Sequence, residues 1–223
     1  MIKNIDKNRI LDLKKEIPIR DGSVVSANIA RLKDAEITLY SFDRNESITT
    51  QDSFGDVLYY IISGDAEFTL KDKKALSKEG DALLVPHLNP HAILAKDGTQ
   101  VLYIQVMKKG EEDMYINNFV QNEVVTLKDQ IEYEKGKIVS KSLVQRSNMT
   151  LTLFAFDKGE GVSTHASKGD AMVIVLDGEA EITVDGVSRI VKPGDSIVMP
   201  ATHPHSVMAK TPYKMLLTVI LPE

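Results

Sequence analysis

The 223-residue sequence has no cysteine. That excludes disulfides, a thiolate nucleophile and any cysteine-based zinc site, and it fits a reducing compartment. A surplus of basic residues is also missing. Lys and Arg total 27 against 32 Asp and Glu, the formal net charge is −5 and the pI is about 5.6. A nucleic-acid-binding face would need the opposite balance. Long apolar runs are absent too. The longest, such as "MLLTVIL", are strand-sized and too short to span a bilayer. The opening "MIKNIDKNRILDLKKE" has no apolar core of signal-peptide length. The expectation is a cytoplasmic protein with neither nucleic-acid nor membrane partners. Histidine is scarce, with five in the chain.

What is present is a repeat. With an offset of 114, residues 10–109 align on 124–223 without a gap, and roughly 28 pairs are identical. The matches fall where backbone geometry is demanding. Gly55 pairs with Gly169, Gly64 with Gly178, Gly80 with Gly194, Pro90 with Pro204 and His91 with His205. A period this long is a duplicated domain. At 24.7 kDa and 43% hydrophobic residues, two small packed units are feasible. The boundaries read as 1–109, 110–122 and 123–223. The middle segment lies within "KKGEEDMYINNFVQNE", whose acidic run Glu111, Glu112, Asp113 suits a solvated linker.

Each copy reads as short strands rich in β-branched and apolar residues. In the second they include "TLTLFAF", "AMVIVL", "EAEITV", "SIVM" and "YKMLLTVIL". Asp177-Gly178, Asp185-Gly186 and Pro193-Gly194 punctuate them, and Asp185-Gly186 is a short-hairpin signal. Only "LKKEIPI" and "LKDQIEY" suggest a helical turn. The fold class is all-β, with two tandem sandwiches or closed barrels.

"GVSTHASKGDAMVIVLDG" and "PGDSIVMPATHPHSV" resemble the two sequence motifs of the cupins. The resemblance is clearest from about Val124 onward and weaker in the first copy. It implies a bicupin, two jelly-roll barrels of double-stranded β-helix type in one chain. In the family pattern the first motif supplies two histidines and a glutamate as metal ligands, and the second supplies a third histidine. His165 and His205 match two of these. Ser167 and Ala171 stand where the others would be. In the first copy Gln51, Ser53 and Val57 fill the first-motif positions, and only His91 remains.

Imidazole is a common ligand of divalent transition metals. Residues i and i+2 on a strand share a face, so His203 could join His165 and His205 if the chain is extended there. These three are the candidate metal ligands, for one zinc, iron, manganese or nickel ion in the second barrel. Pro204 between two of them restrains the backbone. Met172, Met199 and Met215 are candidates to line the pocket of the second barrel, and Gln51 and His91 that of the first. Asp56 and Asp170 follow glycines and read as turn residues.

The reading is a small-molecule-binding bicupin with a reduced, metal-capable pocket in its C-terminal barrel. Two alternatives stand beside it. One is a metal-dependent enzyme of dioxygenase, decarboxylase or isomerase type using His165 and His205. The other is a structural barrel without a ligand. Both a monomer and a homodimer through edge strands fit.

Overall fold

The computed structural model describes residues 1–71, 73–107 and 116–222. Two compact units form, each from a six-stranded and a four-stranded antiparallel sheet. In the unit holding the second copy, the larger sheet runs Ile10–Asp12, Asp195–Met199, Asp170–Asp177, Tyr213–Ile220, Met149–Phe156 and Ile138–Gln145. Its smaller sheet runs Gly161–His165, His205–Ala209, Ala180–Val184 and Val187–Val191. In the other unit the orders are the same, displaced by 114. The larger runs Val124–Thr126, Asp81–Val85, Gly55–Ser63, Thr99–Met107, Ala35–Phe42 and Val24–Arg31. The smaller runs Ser47–Gln51, His91–Ala95, Asp65–Leu70 and Lys73–Lys78. The expected tandem barrels are therefore present.

Strand alternation sets each core. Ala171, Val173 and Val175 point between the sheets of the second barrel, against Ile182, Val184, Val207, Met199 and Met215. In the first, Val57, Tyr59 and Ile61 meet Phe68, Leu83 and Ile93. The turn chemistry is as the sequence suggests. Asp185 (φ 52°) and Gly186 (φ 77°) both sit in the left-handed region and connect Val184 to Val187, the geometry a two-residue hairpin requires. Gly169 is obligatory for another reason, since a Cβ there would collide with the carbonyl oxygen of Ile220. The two helical turns form at Leu13–Glu16 and Leu127–Gln130.

The units do not follow the expected boundaries. Met1–Leu13 belongs with Lys128–Glu223, and the other unit is Lys14–Leu127. Ile10 pairs with Ile197 and Asp12 with Asp195, while Val124 pairs with Leu83 and Thr126 with Asp81. Each barrel thus carries an arm that precedes the other barrel in sequence. The arms extend the repeat upstream. Ile2 aligns with Ile116, Asn4 with Asn118 and Asn8 with Asn122, and all four asparagines have φ between 55° and 60°. Residues 116–122 are accordingly arm rather than linker, whereas 108–115, with the acidic run, lie outside the described residues.

Asp170 and Asp56 clamp these arms, which corrects their reading as turn residues. Asp170 is fully buried and accepts the Ile2 N–H (2.8 Å), the Ala201 N–H (3.0 Å) and Lys7 Nζ (2.7 Å). Asp56 accepts the Ile116 and His87 N–H groups at 3.1 and 2.9 Å, the same positions of the repeat. Burial pushes the Asp170 carboxyl up, but Lys7 and the two N–H donors outweigh it and hold it below the ordinary value.

Candidate functional site

In the second barrel a register shift between Val162 and His165 ends the first strand of the smaller sheet and sets His165 directly opposite His205. The two rings lie edge to face, with centroids 4.5 Å apart. Each is held the same way. His165 Nδ1 is 2.9 Å from the Ser163 carbonyl oxygen, and His205 Nδ1 is 2.9 Å from that of His203. A carbonyl only accepts, so each Nδ1 carries the proton and each Nε2 offers its lone pair. Backbone carbonyls commonly orient metal-binding imidazoles in this way. His205 is buried and His165 is exposed. Burial first, and then the neighbouring His165, keep the His205 pKa below the ordinary imidazole value, against the opposing pull of the His203 carbonyl. The pair therefore stands at a rim, with one ring toward the core and the other toward water.

His203 does not join it. Its Nδ1 lies 2.7 Å from Asp185 Oδ2 on the exposed hairpin, and only its carbonyl reaches the pair. The i, i+2 reasoning fails because the strand begins at His205. Residues 201–202 form a turn, with Thr202 at φ 68°, and 203–204 lie outside any strand, so two-residue alternation does not apply. Among the described residues no group of three or more His, Asp or Glu side chains converges as a metal site. Met199 and Met215 lie in the core cluster beside Ala171 and Val207. Met172 alternates onto the opposite face of its strand, buried but away from that cluster, which corrects its assignment as a pocket residue.

The first barrel has the same frame and different contents. Gln51 stands opposite His91, as His165 does opposite His205, and is exposed. His91 Nδ1 is tied to the Asn89 carbonyl at 2.8 Å. Its Nε2 is occupied as well, because the buried Tyr59 hydroxyl donates to it at 2.7 Å. Tyr59 packs on Phe68 and Tyr103 at centroid distances of 5.0 and 5.5 Å. The equivalents in the second barrel are Val173, Ile182 and Leu217, which are aliphatic. Motif matching passes over Tyr59, since it is no motif position. The signal was nevertheless in the alignment of the copies, as three aromatics against three aliphatics. Burial lowers the His91 pKa, with the Asn89 carbonyl and Asp52 opposing.

Two jelly-roll barrels in one chain, one carrying paired imidazoles and the other a His–Tyr contact packed among aromatics, define a duplicated β-barrel protein whose two copies differ in their chemistry. A model of the cupin domain matches residues 152–220. A cupin 2 conserved barrel domain protein from Leptotrichia buccalis is 32% identical, with 99% of this chain and 100% of that one covered and a TM-score of 0.84. The chain belongs to the cupins. Salicylate 1,2-dioxygenase from Pseudoaminobacter salicylatoxidans, solved with gentisate, is 12% identical, covers 93% of this chain and 77% of its own, and has a TM-score of 0.60. That likeness is one of fold. A curated relative, the cAMP-dependent protein kinase regulatory subunit of Yarrowia lipolytica (strain CLIB 122 / E 150), is 29% identical over 174 residues. These take in 69% of this chain and 43% of that protein, so the chain spans less than half of its length. Among the described residues, no helix is long and apolar enough to cross a membrane.

Proposed function

We propose that the protein is a small-molecule-binding bicupin whose C-terminal barrel uses His165 and His205 to hold one divalent transition metal, with solvent or the ligand completing its coordination. The observation that supports this most is the shared tautomer, since both Nδ1–H groups are spent on backbone carbonyls and both Nε2 lone pairs are left over. Two neutral imidazoles fit such an ion as donors. Among the described residues no third His, Asp or Glu converges on the pair; Ser167 and Ala171 stand at the family's other ligand positions, and His203 binds Asp185. The bound metal would supply a Lewis acid toward an oxygen-bearing ligand. Met199, Met215 and Val207 belong to the buried apolar cluster of the same barrel. A metal-dependent enzyme of dioxygenase, decarboxylase or isomerase type would draw on the same pair, and the fold shared with salicylate dioxygenase supports that second reading only at the level of architecture.

Cobalt or zinc titration of the wild type, His165→Gln and His91→Ala, with thermal melts of the metal-free proteins, tests the proposal. Binding is expected in the wild type and in His91→Ala, with little in His165→Gln. Gln51 shows that the frame accommodates glutamine, so His165→Gln should melt like the wild type. An amide offers only a weak carbonyl donor in place of an imidazole nitrogen. Equal binding by His165→Gln, or none by the wild type, overturns the reading.

A further inference from the structure

The inward face of the first barrel carries three phenols. Tyr59 belongs to its core cluster, and Tyr40 and Tyr103 pack against that cluster. Glu36 stands four residues before Tyr40 on the strand Ala35–Phe42, so alternation puts it on the same face. Tyr40, Tyr103 and Glu36 are only half-buried although they point inward, so solvent reaches this part of the barrel. We propose that these residues form a second binding site, in the first barrel, for a small organic ammonium ion.

The rings supply the first part of the argument. Tyr103 meets Tyr40 edge to face, with centroids 5.7 Å apart and planes at 81°, and meets Tyr59 in the same way at 5.5 Å and 73°. Near-perpendicular rings in contact form a corner walled by π faces, whose negative charge attracts a cation. The inner wall is fixed, because the Tyr59 hydroxyl donates to His91 Nε2 and its ring packs on Phe68. Among the described residues the hydroxyls of Tyr40 and Tyr103 have no hydrogen-bond partner, so both oxygens can accept from an ammonium N–H. Glu36 supplies the countercharge. Asn28 Nδ2 and Thr38 Oγ1 donate to its Oε1 at 3.0 and 2.9 Å and hold the carboxylate in place. Arg31 approaches it at 3.4 Å, but that side chain is 72% exposed and solvent screens the pair. The carboxylate is felt at the rings. Burial and then Glu36 raise the Tyr40 pKa, with Arg31 opposing, and burial, Tyr40 and Glu36 raise that of Tyr103.

The duplication supplies an internal control. At an offset of 114, Tyr40 corresponds to Phe154, Tyr59 to Val173, Tyr103 to Leu217 and Glu36 to Thr150. The strands pair in the same register, with Tyr103 opposite Tyr59 as Leu217 is opposite Val173. One ring of three survives in the second barrel, and the carboxylate becomes a hydroxyl. The same backbone therefore presents an anionic aromatic corner in one copy and an aliphatic wall in the other. This site is separate from His165 and His205 and does not depend on a metal.

The test is calorimetric titration of the full chain with choline and with ethanolamine, in an amine-free buffer containing a chelator. The uncharged tert-butanol and the anion acetate are the controls. Choline has no N–H and ethanolamine does, so the two separate recognition by the rings alone from recognition that also uses the phenol oxygens. Saturable binding of at least one ammonium ion is expected, with both controls silent. The chain has no tryptophan, so binding should also change its tyrosine emission. Tyr103→Leu and Glu36→Thr introduce the residues that the second copy holds at these places, and each should weaken binding about tenfold or more. Tyr103→Phe keeps the ring and should bind choline nearly as tightly as the wild type. If Tyr103→Leu melts early, Glu36→Gln decides, because it keeps the size and removes the charge, and it should weaken binding as Glu36→Thr does. Absence of saturable binding by either ammonium ion, an equal response to tert-butanol, or undiminished binding in Glu36→Gln overturns the proposal.

Discussion

His91 and His205 occupy one position of the repeat, share a carbonyl restraint on Nδ1, and differ in what reaches Nε2. Tyr59 satisfies it in the first barrel. Tyr59→Phe should leave that nitrogen buried without a partner and cost about 1–3 kcal/mol, measured as a shift of the urea midpoint. Val173→Tyr, its mirror, should bring a hydroxyl beside His205 and weaken metal binding there. A stability-neutral Tyr59→Phe would show that the hydrogen bond contributes nothing net. The pairing of His165 with His205 was legible in the sequence, because the motif frame fixes which strand ends meet. The partner of His91 was not, because it depends on a cross-barrel contact. His203 misled because its chain turns where alternation assumed a strand.

At the level of elements, the arms carry the most information. Ile2, Leu11 and Leu13 are buried, each contributing on the order of 1.5–3 kcal/mol, and Asp170 ties the segment down. Asp170→Asn keeps the size but removes the charge that Lys7 and two N–H groups bind. A loss of about 2–4 kcal/mol is expected, with faster hydrogen exchange at Ile10 and Leu11 than in the wild type. The pH dependence follows. The folded carboxyl titrates below its ordinary value, so the unfolded chain takes up the proton first. The stabilisation is present above about pH 4 and fades as pH falls through the folded value. Urea midpoints at pH 6, 4 and 3 should show this slope reduced in Asp170→Asn, and an identical slope would assign it to other groups. Hairpins and glycine turns were readable because their signals are local. A three-residue strand such as Ile10–Asp12 has no periodicity to read, and its partner lies far along the chain.

For the whole molecule, the consequence is that the repeat boundary and the folding boundary differ. The piece 14–127 keeps a complete six-stranded sheet, whereas 1–109 leaves the strand Asp81–Val85 without Val124–Thr126 and carries an arm that has nothing to cover. The fragment 14–127 should melt cooperatively and at the higher temperature. If 1–109 melts higher, the arm is dispensable. The two-barrel architecture itself was legible from the offset of 114, since duplicated turns and strands imply duplicated folds.

The position of the first arm also sets a timetable. Ile10 emerges from the ribosome 187 residues before Ile197, the residue it pairs with. At ~5–20 residues per second that interval is roughly 10–40 s, long compared with the folding of a small β-barrel. The arm waits unpaired while one barrel is completed and the next is made. Its opening residues alternate charge with isolated apolar side chains, in "MIKNIDKNR", rather than forming the apolar run that would aggregate during the delay. The strand Tyr213–Ile220, which pairs with both Asp170–Asp177 and Met149–Phe156, is made later still, so the larger sheet of the second barrel is completed by two segments more than 200 residues apart in sequence.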